Sequence, residues 1–132
     1  MKLKIIKKKF FFLRTIIKSI KNKKGKKIKI INTKKKNNLF DYFIICEGIS
    51  NIHIKTIYNK IVMSINNNFN IKPYNIEGLK NNEWILINYN FVIVNIFLKK
   101  IRYYYNIDKL FKNFIKIKKK IFLKKNKFKE NV

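Results

Sequence analysis

The stretch Phe91-Val-Ile-Val-Asn-Ile-Phe97 is apolar at every position except Asn95, and no other feature constrains the fold as strongly. A strand that alternates polar and apolar residues can leave one face in water, whereas a strand apolar on both faces needs a layer of protein on each side. Trp84 to Ile87 supplies the preceding arm of a hairpin, and Asn90 falls in the connection, where a positive φ is predicted and Asn tolerates it better than most residues. Elsewhere the apolar spacing turns helical. Between Phe10 and Lys21, residues Phe12, Leu13, Ile16, Ile17 and Ile20 recur every three or four positions and form one stripe of an amphipathic helix that ends near Gly25. Ile54, Ile57, Ile61 and Ile65 mark a second helix, capped at its start by Ser50 and closed by Asn66 to Asn70. Lys27 to Ile31 and Asp41 to Cys46 are predicted strands, as is the segment Tyr74 to Glu77 after Pro73, with a turn from Gly78 to Asn82. Ile107, Leu110, Phe111, Phe114 and Ile115 make a last amphipathic face.

The order helix, two strands, helix, three strands, helix predicts one small α/β domain with a mixed sheet of about five strands flanked by helices. The chain of 132 residues has room for a single core, and its 47% hydrophobic content is enough to fill it. The expected organisation is a basic extension at 1–9, the folded domain at 10–115 and a Lys-rich tail at 116–132. That tail has three open interpretations: a frayed extension, a basic amphipathic helix for RNA or membrane, or compositional drift.

The formal net charge of +27 points to a polyanionic partner. A second origin stays open. The basic residues are Lys except for Arg14 and Arg102; Ile, Asn, Phe and Tyr are abundant, while Ala and Gln are absent. That is the residue set of an AT-biased genome, and a protein selected to grip phosphates would show more of the bidentate Arg fork. Whatever its origin, the charge draws the chain toward polyanions in a salt-dependent way. The basic start Met1 to Lys9 is followed by only Phe10 to Leu13 before Arg14, too short a run for an export signal, and no stretch is apolar enough to span a bilayer.

Catalytic chemistry finds little purchase. The six acids are Asp41, Glu47, Glu77, Glu83, Asp108 and Glu130, and Asp41 and Glu47 bracket a strand, too far apart to share a proton or a cation. Glu77, at a strand end before Gly78, is a functional candidate or a turn-bonding residue. The single His53 has no second His or Cys to share a metal with, and in the first turn of a helix it suits packing or capping. Cys46, inside an apolar run, reads as a small buried hydrophobe in a reducing compartment. Trp84, the sole tryptophan, could be core or a binding hot spot.

Several segments in order resemble the Iojap family, the bacterial ribosomal silencing factors with organelle relatives. Asp41-Tyr42-Phe43-Ile44-Ile45 is similar to its D-Y-F strand, and Gly48 to Ile54 to its G-x-S-x-x-H-V helix entry. Ile76-Glu77-Gly78-Leu79 resembles V-E-G-L, Glu83 to Tyr89 resembles the W-V-L-L-D-Y strand, and Arg102 to Phe111 the closing R-x-Y-Y-x-L-x-x-L-W, so the likeness spans about Phe10 to Phe114.

The resemblance implies a fold similar to a minimal nucleotidyltransferase domain used for binding, without catalysis, cofactor or metal. It implies docking on the universal large-subunit ribosomal protein fourteen, with possible contacts to nearby ribosomal RNA, and steric blocking of subunit joining that represses translation. Trp84, Leu86, Asn88 and Tyr89 would belong to the docking surface, with Asp41, Glu77 and Gly78 shaping the same end of the sheet. The expected location is the bacterial cytoplasm, with an organelle matrix as the alternative. A general basic RNA-binding protein without a specific ribosomal site is the alternative function; a nucleotidyltransferase-like enzyme would need paired strand acids near Gly48 and Ser50. The chain departs from the pattern at D-Y-G-D and V-V-V-H, where it has Asn88-Tyr89-Asn90-Phe91 and Val92-Ile93-Val94-Asn95. It thereby loses two acids, a glycine and a histidine.

Overall fold

The computed structural model describes residues 2–34, 40–110 and 115–117. Helix α1 (Lys2–Asn22) leads into the antiparallel strands β1 (Lys26–Asn32) and β2 (Tyr42–Gly48), and α2 (Asn51–Phe69) follows. Strands β3 (Asn75–Glu77), β4 (Trp84–Asn88) and β5 (Val92–Leu98) come next, then α3 (Lys99–Tyr105), α4 (Ile107–Leu110) and β6 (Ile115–Ile117). The sheet order is β3-β4-β5-β2-β1-β6; β2 and β5 pair in parallel and every other neighbouring pair is antiparallel. This is the expected α/β domain with a mixed sheet. The sheet has six strands where about five were expected, because Ile115–Ile117 adds an outer strand on β1.

The doubly apolar run behaves as its sequence demands. All seven residues of β5 are buried, and the strand lies between β4 and β2 with protein on both sides. On one face Val92, Val94 and Ile96 join the stripes of α1 and α2, among them Leu13, Ile16, Ile17, Ile54, Ile57 and Ile61, all fully buried. On the other, Ile93 and Phe97 meet Ile31, Phe43, Ile45 and Ile107. Asn90 turns the β4–β5 connection with φ 75°, and its backbone N–H donates to Asn88 Oδ1 at 2.7 Å. Ser50 caps α2 by accepting from the His53 backbone N–H at 3.0 Å.

The ends of elements differ from expectation. α1 starts at Lys2, eight positions before the expected Phe10, so residues 2–9 are helix that runs on into α1. No Gly or Pro interrupts that basic segment, and Lys, Leu and Ile propagate a helix once an amphipathic stripe anchors it. At the other end, a helix was expected to carry its apolar face to Ile115. Instead the chain forms two short helices, broken at Asn106 with φ 48°, a left-handed conformation that Asn adopts at low cost. Ile115 is then opposite Asn32 in β6, while Phe111 and Phe114 lie outside the described residues, as does the expected tail beyond 117.

Truncating Ile57→Ala should lower stability by about 2–5 kcal/mol, read as a lower urea midpoint at unchanged slope. Met63→Ala on the same helix, at a position 52% exposed, should change it by less than about 0.5 kcal/mol.

Candidate functional site

The alternation along β4 divides its residues between two faces. Ile85 and Ile87 are buried against the helices. Trp84, Leu86 and Asn88 are half-buried on the opposite face. Antiparallel pairing puts Leu86 between Glu77 and Asn95, Trp84 opposite Phe97, and Asn88 between Asn75 and Ile93. Directly opposed residues share a face, so the three half-buried β4 side chains form a row, flanked on the edge strand β3 by the exposed Asn75 and Glu77.

Trp84 anchors this row. Its ring lies against Phe97 at 4.7 Å and Tyr105 at 5.2 Å between centroids, and its indole N–H donates to Asn95 Oδ1 at 2.9 Å. Asn95 is fully buried, and its Nδ2 has no hydrogen-bond partner among the described residues. Gly78 is held at φ +94°, and a Cβ there would lie 1.9 Å from the Trp84 carbonyl oxygen. Only glycine allows β3 to leave the sheet that close to Trp84. A hollow of about 160 Å³ opens beside the indole, bounded by Gly78, Asn81, Glu83, Trp84, Ile101 and Tyr105.

Two of the seven candidate residues fall elsewhere. Tyr89 is only 5% exposed and belongs to the core under the helices, edge-on to Phe12 at 5.0 Å. It follows Asn88, so the two-residue alternation of a strand turns it to the other face. Burial, with the nearby Tyr58 phenol adding to it, pushes the ionisation of Tyr89 well above the usual range. Asp41 precedes β2, where its N–H and that of Tyr42 both donate to the Phe91 carbonyl and its carboxylate pairs with Lys9 at 3.0 Å. Because β4 runs antiparallel to β5 while β2 runs parallel to it, Asp41 lies at the Asn88 end of the sheet, and Glu77 and Gly78 lie toward the Trp84 end. The seven residues do not shape one common end.

Sequence reasoning passed over a second cluster, at the carboxyl ends of β2 and β5. Arg102, 6% exposed, donates from Nε and Nη2 to both Asp108 oxygens at 3.0 and 2.8 Å. From Nη1 it donates to Glu47 Oε2 at 2.9 Å and to the Lys27 carbonyl at 2.7 Å. Burial alone would favour the neutral guanidine, but the hydrogen bonds to Asp108 and the two carboxylate charges outweigh it and raise the Arg102 pKa. Hydrogen bonding from Arg102, against an opposing cost of burial and with help from Lys29 at 2.7 Å, holds Asp108 well below the usual carboxylate range. The available signal was composition: Arg102 is one of only two arginines in a lysine-dominated chain.

A cleft of about 1330 Å³ opens above this cluster, between the start of β1, the first turn of α2 and α3. His53 is structural beside it: its Nδ1 accepts from the Ile49 N–H at 2.9 Å, so the proton sits on Nε2, which reaches the Lys23 carbonyl at 2.6 Å. Ser50 Oγ serves as the helix cap. Cys46 is fully buried, and burial, partly offset by Arg102, pushes its thiol up to about 12. Among the described residues no three His, Cys, Asp or Glu side chains gather as a metal site, and no helix is long and apolar enough to cross a membrane.

Residues 8–131 match the family model described as ribosomal silencing factor during starvation. The chain is 29% identical over 98 residues to the ribosomal silencing factor RsfS of Halalkalibacterium halodurans, covering 74% of this chain and 83% of that one. It is 30% identical over 94 residues to the RsfS of Chromobacterium violaceum, covering 71% and 76%. Among solved structures it is similar to a Chromobacterium violaceum protein with a TM-score of 0.72 at 28% identity, over 75% of this chain and 82% of that one. A Bacillus halodurans protein matches with a TM-score of 0.71 at 26% identity, over 80% and 95%.

The depressed Asp108 pKa has a definite sign. A carboxyl that ionises more readily folded than unfolded stabilises the fold above the ordinary carboxylate range and loses that contribution as pH falls through about 4 and below. Asp108→Asn should therefore cost about 2 kcal/mol at neutral pH, and acid urea titrations should show the gap to wild type closing. Cys46 should resist a thiol-specific disulfide reagent at pH 8 in the folded chain and react fully in denaturant, since burial denies both thiolate and access.

Proposed function

Because the chain belongs to the ribosomal silencing factor family, a family of regulatory factors rather than enzymes, we propose that it silences by docking the Trp84–Leu86–Asn88 face on the large ribosomal subunit. The partner on that subunit is the universal ribosomal protein fourteen, with ribosomal RNA close by, and the bound domain sterically blocks the small subunit from joining. The observation that supports this most is the β4 row itself. A half-buried Trp, already oriented by the Asn95 hydrogen bond and stacked on Phe97 and Tyr105, stands beside an empty hollow at a sheet face that α3 and α4 cover only in part.

A preoriented aromatic next to a pocket is the composition of an interface hot spot, because little rotamer entropy remains to be lost on binding. Glu77 and Gly78 border the row from β3, and Gly78 also lines the hollow. Asp41 and Tyr89 play no direct part in this docking: Tyr89 is core, and Asp41 fixes α1 to the start of β2 through Lys9.

Co-sedimentation with isolated large subunits, small subunits and bare ribosomal RNA tests the proposal. At raised salt, where binding to bare RNA is screened, wild type should still pellet with large subunits selectively. Trp84→Glu should weaken that binding by at least about 30-fold, the effect of losing a hot spot, while Tyr89→Phe should leave it unchanged. Equal, salt-sensitive binding to all three targets, indifferent to Trp84→Glu, would leave only a general basic RNA-binding protein.

A further inference from the structure

We propose that the cleft at the carboxyl ends of β2 and β5 is a second, separate binding site that holds the phosphate backbone of single-stranded RNA. Its lining carries six basic side chains, but they are not equivalent. Arg102 is consumed by Glu47 and Asp108, and Lys29 pairs with Asp108. Lys26, Lys27, Lys99 and Lys100 are exposed and have no ion pair among the described residues. The two acids of the lining are thus neutralised from within, and four lysines project into the cleft uncompensated.

Two further observations favour a polyanion with bases. The first turn of α2, a helix of 19 residues, opens on the cleft through Ser50 and Asn51, adding the positive end of the helix dipole to the lysine field. Tyr103, 88% exposed, lines the same cleft and offers a free aromatic face on which any base can stack. At about 1330 Å³ the cleft exceeds the usual size of a small-metabolite pocket, and its lysines stand on two separate elements, β1 and α3, as suits a strand laid across it. Helix α3 divides the two sites. Lys99, Lys100 and Tyr103 face the cleft, whereas Ile101 and Tyr105 line the hollow beside Trp84. A protein docked on the β4 face and an RNA strand in the cleft would be neighbours across one helix. That the RNA is ribosomal rests on the docking proposal; that the cleft binds RNA does not.

The probe is a single-stranded RNA of about 12 nucleotides of mixed sequence, titrated into the full chain by fluorescence anisotropy across a range of salt. A chain with net charge +27 attracts any RNA, so the decisive comparison is between two variants of equal charge. One carries Lys→Gln at Lys26, Lys27, Lys99 and Lys100; the other carries Lys→Gln at Lys4, Lys8, Lys60 and Lys72, none of which lines the cleft. The cleft variant should lower the slope of log affinity against log salt by about 3, at about 0.7 per phosphate contact, and the control by much less. Tyr103→Ala should weaken binding about tenfold through lost stacking with little change in slope. Equal losses in the two quadruple variants, or no effect of Tyr103→Ala, would overturn the proposal. Trp84→Glu in the same titration should leave RNA affinity intact, so failure of the docking proposal and failure of this one give different results.

Discussion

Arg102 brings a charge that cannot be neutralised by deprotonation into a site where its side chain keeps only 7% of its exposure. Such a group must be surrounded by acceptors, and the surrounding elements are arranged to supply them: β2 presents Glu47 one residue before its end, β1 presents the Lys27 carbonyl, and α4 presents Asp108. The Lys27 carbonyl is available because β1 bulges there, with Lys27 at φ 51° and a register shift between Lys26 and Lys29. The desolvation cost of burying the ions offsets much of the attraction, so the network adds less to net stability than its short distances suggest. Its effect is to fix positions. In the orientation that Arg102 anchors, α3 sets Tyr105 and Ile101 beside Trp84 and turns Lys99, Lys100 and Tyr103 to the other side.

This also bears on the basic composition. A lysine at 102 would offer a compact ammonium on a flexible stem, unable to bridge Asp108 in two places and reach Glu47 and a carbonyl as well. Arg stands at a position whose geometry excludes Lys, in a chain where Lys fills every other basic position but Arg14. Exposed lysines carry no comparable constraint. Arg14 is also buried, at 7% exposure with its Nε unpartnered among the described residues, and nothing in the structure explains its retention. Three of the six acids, Asp41, Glu47 and Asp108, are each paired with a basic side chain across a junction of elements. In a molecule this positively charged, these three carboxylates sit where they hold separate elements together.

What the sequence revealed follows from which signals are local. The helical stripes were legible because periodicity is a property of consecutive residues: Phe12, Leu13, Ile16, Ile17 and Ile20 are all at most 3% exposed. The doubly buried strand and the turn at Asn90 were legible for the same reason. Strand direction is a property of the whole sheet, and there the reasoning failed. The resemblance places Asp41 and Glu77 at one end of the sheet, but Asp41 lies at the Asn88 end while Glu77 pairs with Leu86 at mid-strand. Tyr89 was grouped with Trp84 because they share a motif, although a strand sends neighbours such as Asn88 and Tyr89 to opposite faces. The Arg102 network joins residues as far apart as Lys27 and Asp108, and neither the rarity of Arg nor its place at the head of the closing motif reveals its partners.

The departures from the family pattern are milder in structure than in charge. Asn90 occupies the position of a glycine and takes the positive φ that such a position requires. Asn88, in place of an acid, still accepts the backbone hydrogen bond that forms the turn. Asn95, in place of a histidine, gives the Trp84 indole N–H its acceptor. Asn88 and Asn90 thus form the turn without the acid and the glycine of the family pattern. In the docking proposed above, Glu77 on β3 and Glu83 in the lining of the hollow are the acids that remain beside Trp84. In the proposed docking, long-range attraction to the ribosome falls to the lysines and short-range choice to Trp84 and its hollow, the division expected when electrostatics governs encounter and packing governs residence.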